Sequence, residues 1–317
     1  MRFTISLQRL CPILLLLPWV FASAAHAANC EGADPEALAW LDKMGAGIHQ
    51  HSYHGVVTLQ RRENMHVMQV SHLVNQGVSS ERMTQLTGQG ARVDRSAHPL
   101  ECVHPGHRLL QVGKDLQAGN CGIASQYRFV VNGKERVAGR AAVRLQIVPR
   151  DMYRYGYRIA LDRETGLLLK AETYGHGDKV LEKFQYANLS YEDAPRDSAE
   201  VETVHQAEHP HPDHSAITAS VSKPWVVNWL PRGFAATDAS AGVSGRRSYT
   251  DGLAVFSVFL EEFEHEIRPG EGVVREGATT AYTRGMSVEG EPVLITVIGE
   301  VPVNTARMVA DSIDWMQ

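Results

Sequence analysis

Apolar positions along this chain form one short helical stripe, a long series of alternating strands, a polar gap, and a shorter series of strands closed by a helix. The first helix signal has Asp34 as N-cap and Pro35 at the first helical position. Leu38, Leu41 and Met44 supply its stripe, and Gly45 reads as the stop. From Tyr53 to Tyr191 the apolar period shortens to two. Strands are predicted over 54–60, 65–75, 80–86, 108–112, 127–131, 142–148, 153–161, 167–174 and 180–189. Asn132-Gly133, Thr165-Gly166 and Gly175-His176-Gly177-Asp178 read as turns. Connections this short leave no room for crossover helices, so neighbouring strands must run antiparallel. The expected fold class is α+β, a large curved antiparallel sheet with a helix.

Between Asp193 and Lys223 acids, prolines and four histidines crowd together with few large apolar residues, the composition of a linker. Beyond it, strands are predicted over 225–234, 249–263, 279–286 and 292–299. Leu253 to Leu260 is apolar on both faces, which suits a central strand. A closing helix is predicted from Asn304, with Met308, Val309, Ile313 and Met316 facing inward. The expected second domain is a small antiparallel sheet covered by one C-terminal helix. The division is therefore a leader over 1–27, a first domain over 28–198, a linker over 199–222 and a second domain over 223–317.

The leader changes how the rest is read. Arg2 and Arg9, an apolar run from Cys11 to Val20 and the cleavage pattern Ala25-His26-Ala27 make a secretory signal peptide, so the expected compartment is the periplasm. Its loss moves the formal charge from -5 to near -7, which argues against a nucleic-acid partner. Cys30, Cys102 and Cys121 remain in an oxidising compartment, and Cys102 with Cys121 is the expected disulfide because Cys30 sits at the new terminus.

Catalytic patterns are missing from the sequence. Gly242-Val243-Ser244-Gly245 fails the spacing of a nucleophile elbow, and His265-Glu266 has no second histidine for a zinc helix. No enzyme activity and no cofactor is expected. His205, His209, His211 and His214 alternate with Glu208 and Asp213 in the linker, and His49, His51 and His54 form a second group. A proline-punctuated segment has no surroundings to orient ligands, so no metal site is expected there.

Two sets of residues are candidates for binding. On the expected strands Tyr153, Tyr155, Tyr157, Ile159 and Leu161 alternate onto one face and Arg154 and Arg158 onto the other. Val143, Leu145, Ile147, Tyr155, Tyr157, Ile159, Leu167 and Leu169 are the candidate lining of an apolar, lipid-binding concavity. In the second domain Trp229, Phe234 and Tyr249 are candidate anchors for a protein partner, with Arg246 and Arg247 as steering charges.

Several ordered blocks resemble the MucB/RseB family. The densest runs through Arg136-Val137-Ala138-Gly139-Arg140, Val148-Pro149-Arg150-Asp151, Arg154-Tyr155-Gly156-Tyr157 and Leu161 to Lys170, then Leu181-Glu182-Lys183-Phe184-Gln185. In the second domain Trp229 to Phe234, Tyr249 to Leu253, Phe256-Ser257-Val258 and Val297 to Pro302 with Thr305-Ala306 follow the same order. Trp40-Leu41 and Tyr53-His54-Gly55 fit the family's opening more loosely. The resemblance implies a first domain similar to the half-open β-barrel of LolA-type lipoprotein carriers. It also implies a regulator of the envelope-stress sigma factor of the sigma-E or AlgU type. Such a regulator binds the periplasmic segment of a membrane anti-sigma factor like MucA or RseA and protects it from regulated proteolysis. Lipid or lipopolysaccharide releases it. A periplasmic lipid or lipoprotein carrier is the alternative, and a homo-oligomer is open. The chain departs from the family in a shorter stretch from Pro105 to Gln126 and in its histidine-rich linker.

Overall fold

A computed structural model describes residues 34–75, 78–88, 92–96, 121–191, 221–237, 245–263 and 270–316. The leader, Cys30, Cys102, the expected strand over 108–112 and nearly all of the expected linker, with its histidines, lie outside them.

Helix α1 spans Pro35–Gln50, with Asp34 as N-cap accepting from the Glu36 backbone N–H at 3.0 Å. Ala37, Leu41 and Met44 are buried, with Leu38 partly so. Contrary to expectation, Gly45 does not stop it. A tertiary contact carries the helix onward: a side chain at Gly47 would stand 2.4 Å from the Thr165 carbonyl oxygen, and one at Gly166 2.6 Å from that of Lys43. The helix therefore lies directly against the Thr165-Gly166 turn, where Gly166 takes a φ of +79°. Lys43 Nζ donates to the Arg163 carbonyl at 2.7 Å from the same contact.

Nine strands follow: β1 (Tyr53–Arg61), β2 (Asn64–Asn75), β3 (Val78–Gln85), β4 (Arg92–Ser96), β5 (Tyr127–Val137), β6 (Arg140–Pro149), β7 (Gly156–Asp162), β8 (Leu168–Tyr174) and β9 (Val180–Ser190). They form one antiparallel sheet in the order β4-β3-β2-β1-β9-β8-β7-β6-β5, open between β4 and β5 among the described residues. Asn132-Gly133 is not a turn. Strand β5 passes through it with a register shift between Val131 and Lys134, and the hairpin turns at Ala138-Gly139 instead, with φ of 50° and 76°. Positive φ at both central residues suits the twist of a two-residue hairpin. Strand β7 starts at Gly156, so Tyr153 to Tyr155 belong to a loop rather than to the expected strand.

The second domain holds a two-stranded ribbon of β10 (Trp225–Val227) and β17 (Ile313–Trp315). Beside it stands a six-stranded antiparallel sheet of β11 (Ala235–Ala236), β12 (Arg246–Thr250), β13 (Val255–Glu262), β14 (Gly270–Glu276), β15 (Thr279–Val288) and β16 (Glu291–Gly299). Its order is β11-β12-β13-β16-β15-β14, and helix α2 (Val303–Asp311) packs on one face. The strand expected over 225–234 is broken by a turn in which the Phe234 N–H bonds the Pro231 carbonyl at 3.1 Å. That expected over 249–263 is split into β12 and β13. Within β13 only Phe256, Val258 and Leu260 are buried, so this inner strand alternates instead of being apolar-buried on both faces. Strand β14, rich in glycine and charge, carried no sequence signal. Thr305, Ala306, Val309 and Ala310 form the buried stripe of α2. Met308 and Met316 fall off that stripe and are exposed, and Ile313 is buried but in β17.

Candidate functional site at the domain junction

The two sheets are fastened by a dry polar cluster. Asp251 lies in the turn between β12 and β13, where its Oδ1 accepts the backbone N–H groups of Leu253 and Ala254, both at 2.9 Å. Its Oδ2 reaches the first domain, accepting from the Tyr127 hydroxyl and from Arg154 Nη1, each at 2.8 Å. Arg154 spends its other donors on Asp151 Oδ1 at 3.0 Å and on the Arg232 carbonyl at 2.6 Å. The guanidinium carbon lies over the Tyr127 and Phe234 rings, 5.5 and 5.2 Å from their centroids. Both charged side chains are fully excluded from water. A buried pair with its hydrogen bonds satisfied resists the loss of either partner far more than a surface pair does.

Further contacts flank the pair. The Tyr155 hydroxyl donates to the Val301 carbonyl at 3.1 Å, and the Thr305 hydroxyl donates to the Tyr153 carbonyl at 2.8 Å. Tyr153 meets Trp229 edge-on at 5.1 Å. Leu253, from the second domain, enters the apolar cluster of the first with Leu41, Phe129 and Leu145. Burial raises the Tyr127 phenol well above its ordinary value, so it remains a proton donor to Asp251. Burial likewise raises Tyr157, whose hydroxyl is shielded and has no hydrogen-bond partner among the described residues.

The candidate lipid residues divide into three groups. Val143, Leu145, Ile147 and Ile159, with Tyr157 partly buried beside them, pack under α1 against Ala37, Leu41 and Met44. Leu167 and Leu169 belong to an adjoining cluster with Tyr53, Val57, Val70 and Tyr186. Tyr155 stands apart with Leu181 and Ala278 at the domain contact, because β7 begins after it and the expected alternation does not reach it. Two shallow hollows lie away from these residues, one beside Val226, Asn228 and Trp315 and one beside Gln60, Glu172 and Leu181. Of the partner candidates, Phe234 and Tyr249 are core residues, each packed on Phe256 at 5.2 and 5.3 Å, and so are not surface anchors in this arrangement. Trp229 is partly buried against the same core. Arg247 covers the Trp225 ring at 4.5 Å and Arg246 lies 5.9 Å from that of Phe259. Cys121 is disulfide-bonded.

Sequence reasoning missed the junction pair. The sequence places Arg154 beside Arg158 on the face opposite the tyrosines. Arg158 does pair with Asp178 near the surface at 2.6 Å, whereas Arg154 turns into the junction. Its partner is 97 residues away, and local spacing cannot register such a pair. Among the described residues no group of three or more histidines, cysteines or carboxylates is placed to hold a metal ion, and no helix is long and apolar enough to cross a membrane.

Residues 36–208 match the model of the MucB/RseB N-terminal domain, and residues 219–314 that of the MucB/RseB C-terminal domain. The sigma factor AlgU regulatory protein MucB of Pseudomonas aeruginosa is 32% identical over an alignment covering 96% of this chain and 98% of that protein. The sigma-E factor regulatory protein RseB of Haemophilus influenzae is 25% identical, covering 87% and 90%. A crystal structure of MucB in complex with MucA(peri) superposes with a TM-score of 0.69 at 30% identity, covering 89% of this chain and 99% of that one. With both domain models matched in order along nearly its whole length, the chain belongs to the MucB/RseB family.

Proposed function

We propose that this chain is a periplasmic, non-enzymatic regulator of an envelope-stress sigma factor. It binds the periplasmic segment of a membrane anti-sigma factor and shields that segment from proteolysis until lipid or lipopolysaccharide displaces it. The observation that carries this reading is the likeness, across both domains, to a relative crystallised with MucA(peri). The junction supports it physically. A buried ion pair tolerates few intermediate geometries, so the two domains have a preferred mutual placement that a partner touching both can read.

The second domain is the proposed partner-binding part, with the half-buried Trp229, Arg246 and Arg247 as its contact residues and Phe234 and Tyr249 supporting them from the core. The first domain is the proposed lipid sensor. Because Val143, Leu145, Ile147 and Ile159 are already covered by α1, an acyl chain gains access only as that helix gives way. Such competition suits a release signal better than a carrier, which needs a standing cavity. The test is cleavage of the purified anti-sigma segment by its protease, with and without the mature protein. Slowed cleavage that lipopolysaccharide restores is expected. Unchanged cleavage at saturating protein sinks the reading, and protection indifferent to lipid removes its lipid arm alone.

A further inference from the structure

Four methionines are exposed among the described residues, and two of them stand at the domain junction. Met152 is 64% exposed in the loop whose other residues Asp151, Tyr153, Arg154 and Tyr155 build that junction. Met308 is 37% exposed on α2, three residues after Thr305 and four before Ser312, so the three share one side of the helix. Thr305 donates to the Tyr153 carbonyl, Ser312 donates to the Trp229 carbonyl at 3.3 Å, and the Tyr153 and Trp229 rings meet edge-on. A thioether from each domain therefore flanks one aromatic pair that spans the junction. Met65 lies at the start of β2, and Met316 at the end of the β10–β17 ribbon away from Trp229.

We propose that Met152 and Met308 are a paired oxidation site through which peroxide loosens the chain's hold on its partner. The inference rests on the proposed function, because it needs a partner segment lying across the junction. A segment that reads the mutual placement of the domains has to touch both, and here each domain presents an exposed apolar side chain at one place. Arg150 and Arg232 are exposed nearby, whereas Asp151 is held by the Arg154 guanidinium. The segment this surface fits is therefore one with an apolar side chain flanked by acids. Thioethers suit that contact, being unbranched, polarisable and without directional demand. Peroxide changes this. The sulfur attacks one peroxide oxygen, the O–O bond breaks as an S–O bond forms, sulfur is oxidised by two electrons, and the second oxygen leaves as water. Each sulfoxide is then a strong acceptor that an apolar contact would bury without a donor. Exposure directs the reaction to these sulfurs, whereas Met44, 4% exposed under α1, is protected.

The test treats the mature protein with hydrogen peroxide and measures its affinity for the anti-sigma segment, with peptide masses reporting each sulfoxide. Affinity is expected to fall at least about tenfold in step with oxidation of Met152 and Met308, and to return when a methionine sulfoxide reductase and its thiol reductant are added. Whatever affinity a chain with Met152→Leu and Met308→Leu starts from, peroxide no longer lowers it, because leucine is apolar and has no sulfur. A chain with Met65→Leu and Met316→Leu stays as sensitive as the parent. Met152→Gln with Met308→Gln, polar at both places from the start, is expected to bind weakly with no oxidant present. A fall that persists in the Met152→Leu, Met308→Leu chain overturns the proposal. So does binding that is unchanged once both sulfurs are oxidised, or failure of both to take up oxygen while Met65 does. The proposed function survives each of these results, whereas absence of binding before any oxidation overturns both.

Discussion

Beneath α1, Val143, Leu145, Ile147 and Ile159 meet Ala37, Leu41 and Met44 in contacts that demand no particular direction. At the junction, by contrast, one carboxylate accepts four hydrogen bonds, and the arginine facing it bonds two further acceptors. The apolar layer loses stability in proportion to what is removed and relaxes around small changes. The junction does not relax, because any partner left behind is a buried charge or a buried donor with nothing to bond. Under the proposed function, a regulator that yields to a lipid while holding two domains in register would draw on both behaviours.

The sharpest way to break the contrast is Asp251→Ala. It strands the Arg154 guanidinium, the Tyr127 hydroxyl and two backbone N–H groups, and is expected to cost about 3–5 kcal/mol. Urea unfolding is the measurement, and a loss below about 1 kcal/mol would mean that water reaches the site. Leu41→Ala, in the apolar layer, is expected to cost about 2–4 kcal/mol. Paired with Val143→Ala, it tests the graded side, because neighbouring truncations that share one cavity should fall short of additivity in a double-mutant cycle.

A third test uses acid. Burial alone would raise the Asp162 carboxyl, but hydrogen bonds from Arg140, the Glu164 backbone and the Tyr191 hydroxyl hold it below the usual carboxylate range. Its stabilisation is therefore complete above the unfolded value of about 3.9 and drains as pH falls through the lower folded value. Asp162→Asn is expected to flatten that acid limb, and an unchanged pH profile would place the acid sensitivity elsewhere. The smallest effect is expected from Tyr157→Phe, which removes a shielded hydroxyl that bonds nothing among the described residues. Its melting temperature should hold or rise slightly, and a clear fall would reveal a bound water there.

Legibility followed the range of each interaction. Alternation located eight of the first domain's nine described strands and the inner strands of the second, since that signal lies within a few residues. Gly45 failed as a stop because the contact at Thr165 that extends α1 lies far along the chain. Asn132-Gly133 failed as a turn because Ala138-Gly139 was available to close the hairpin. Phe234 and Tyr249 were legible as large aromatic residues but not as core, a distinction that only the position of Phe256 makes. Arg154 and Asp251 stood inside the blocks that carried the family resemblance, yet nothing in either block names the other.

Leu253 adds a constraint on the order of manufacture. Its side chain completes the apolar cluster of a domain whose last strand, β9, ends at Ser190. A chain made from its N-terminus therefore delivers every described strand of the first sheet before the residue that finishes its apolar cluster. Until that residue arrives, the nascent first domain keeps an open apolar seat, and a fragment ending before Leu253 would retain that gap permanently.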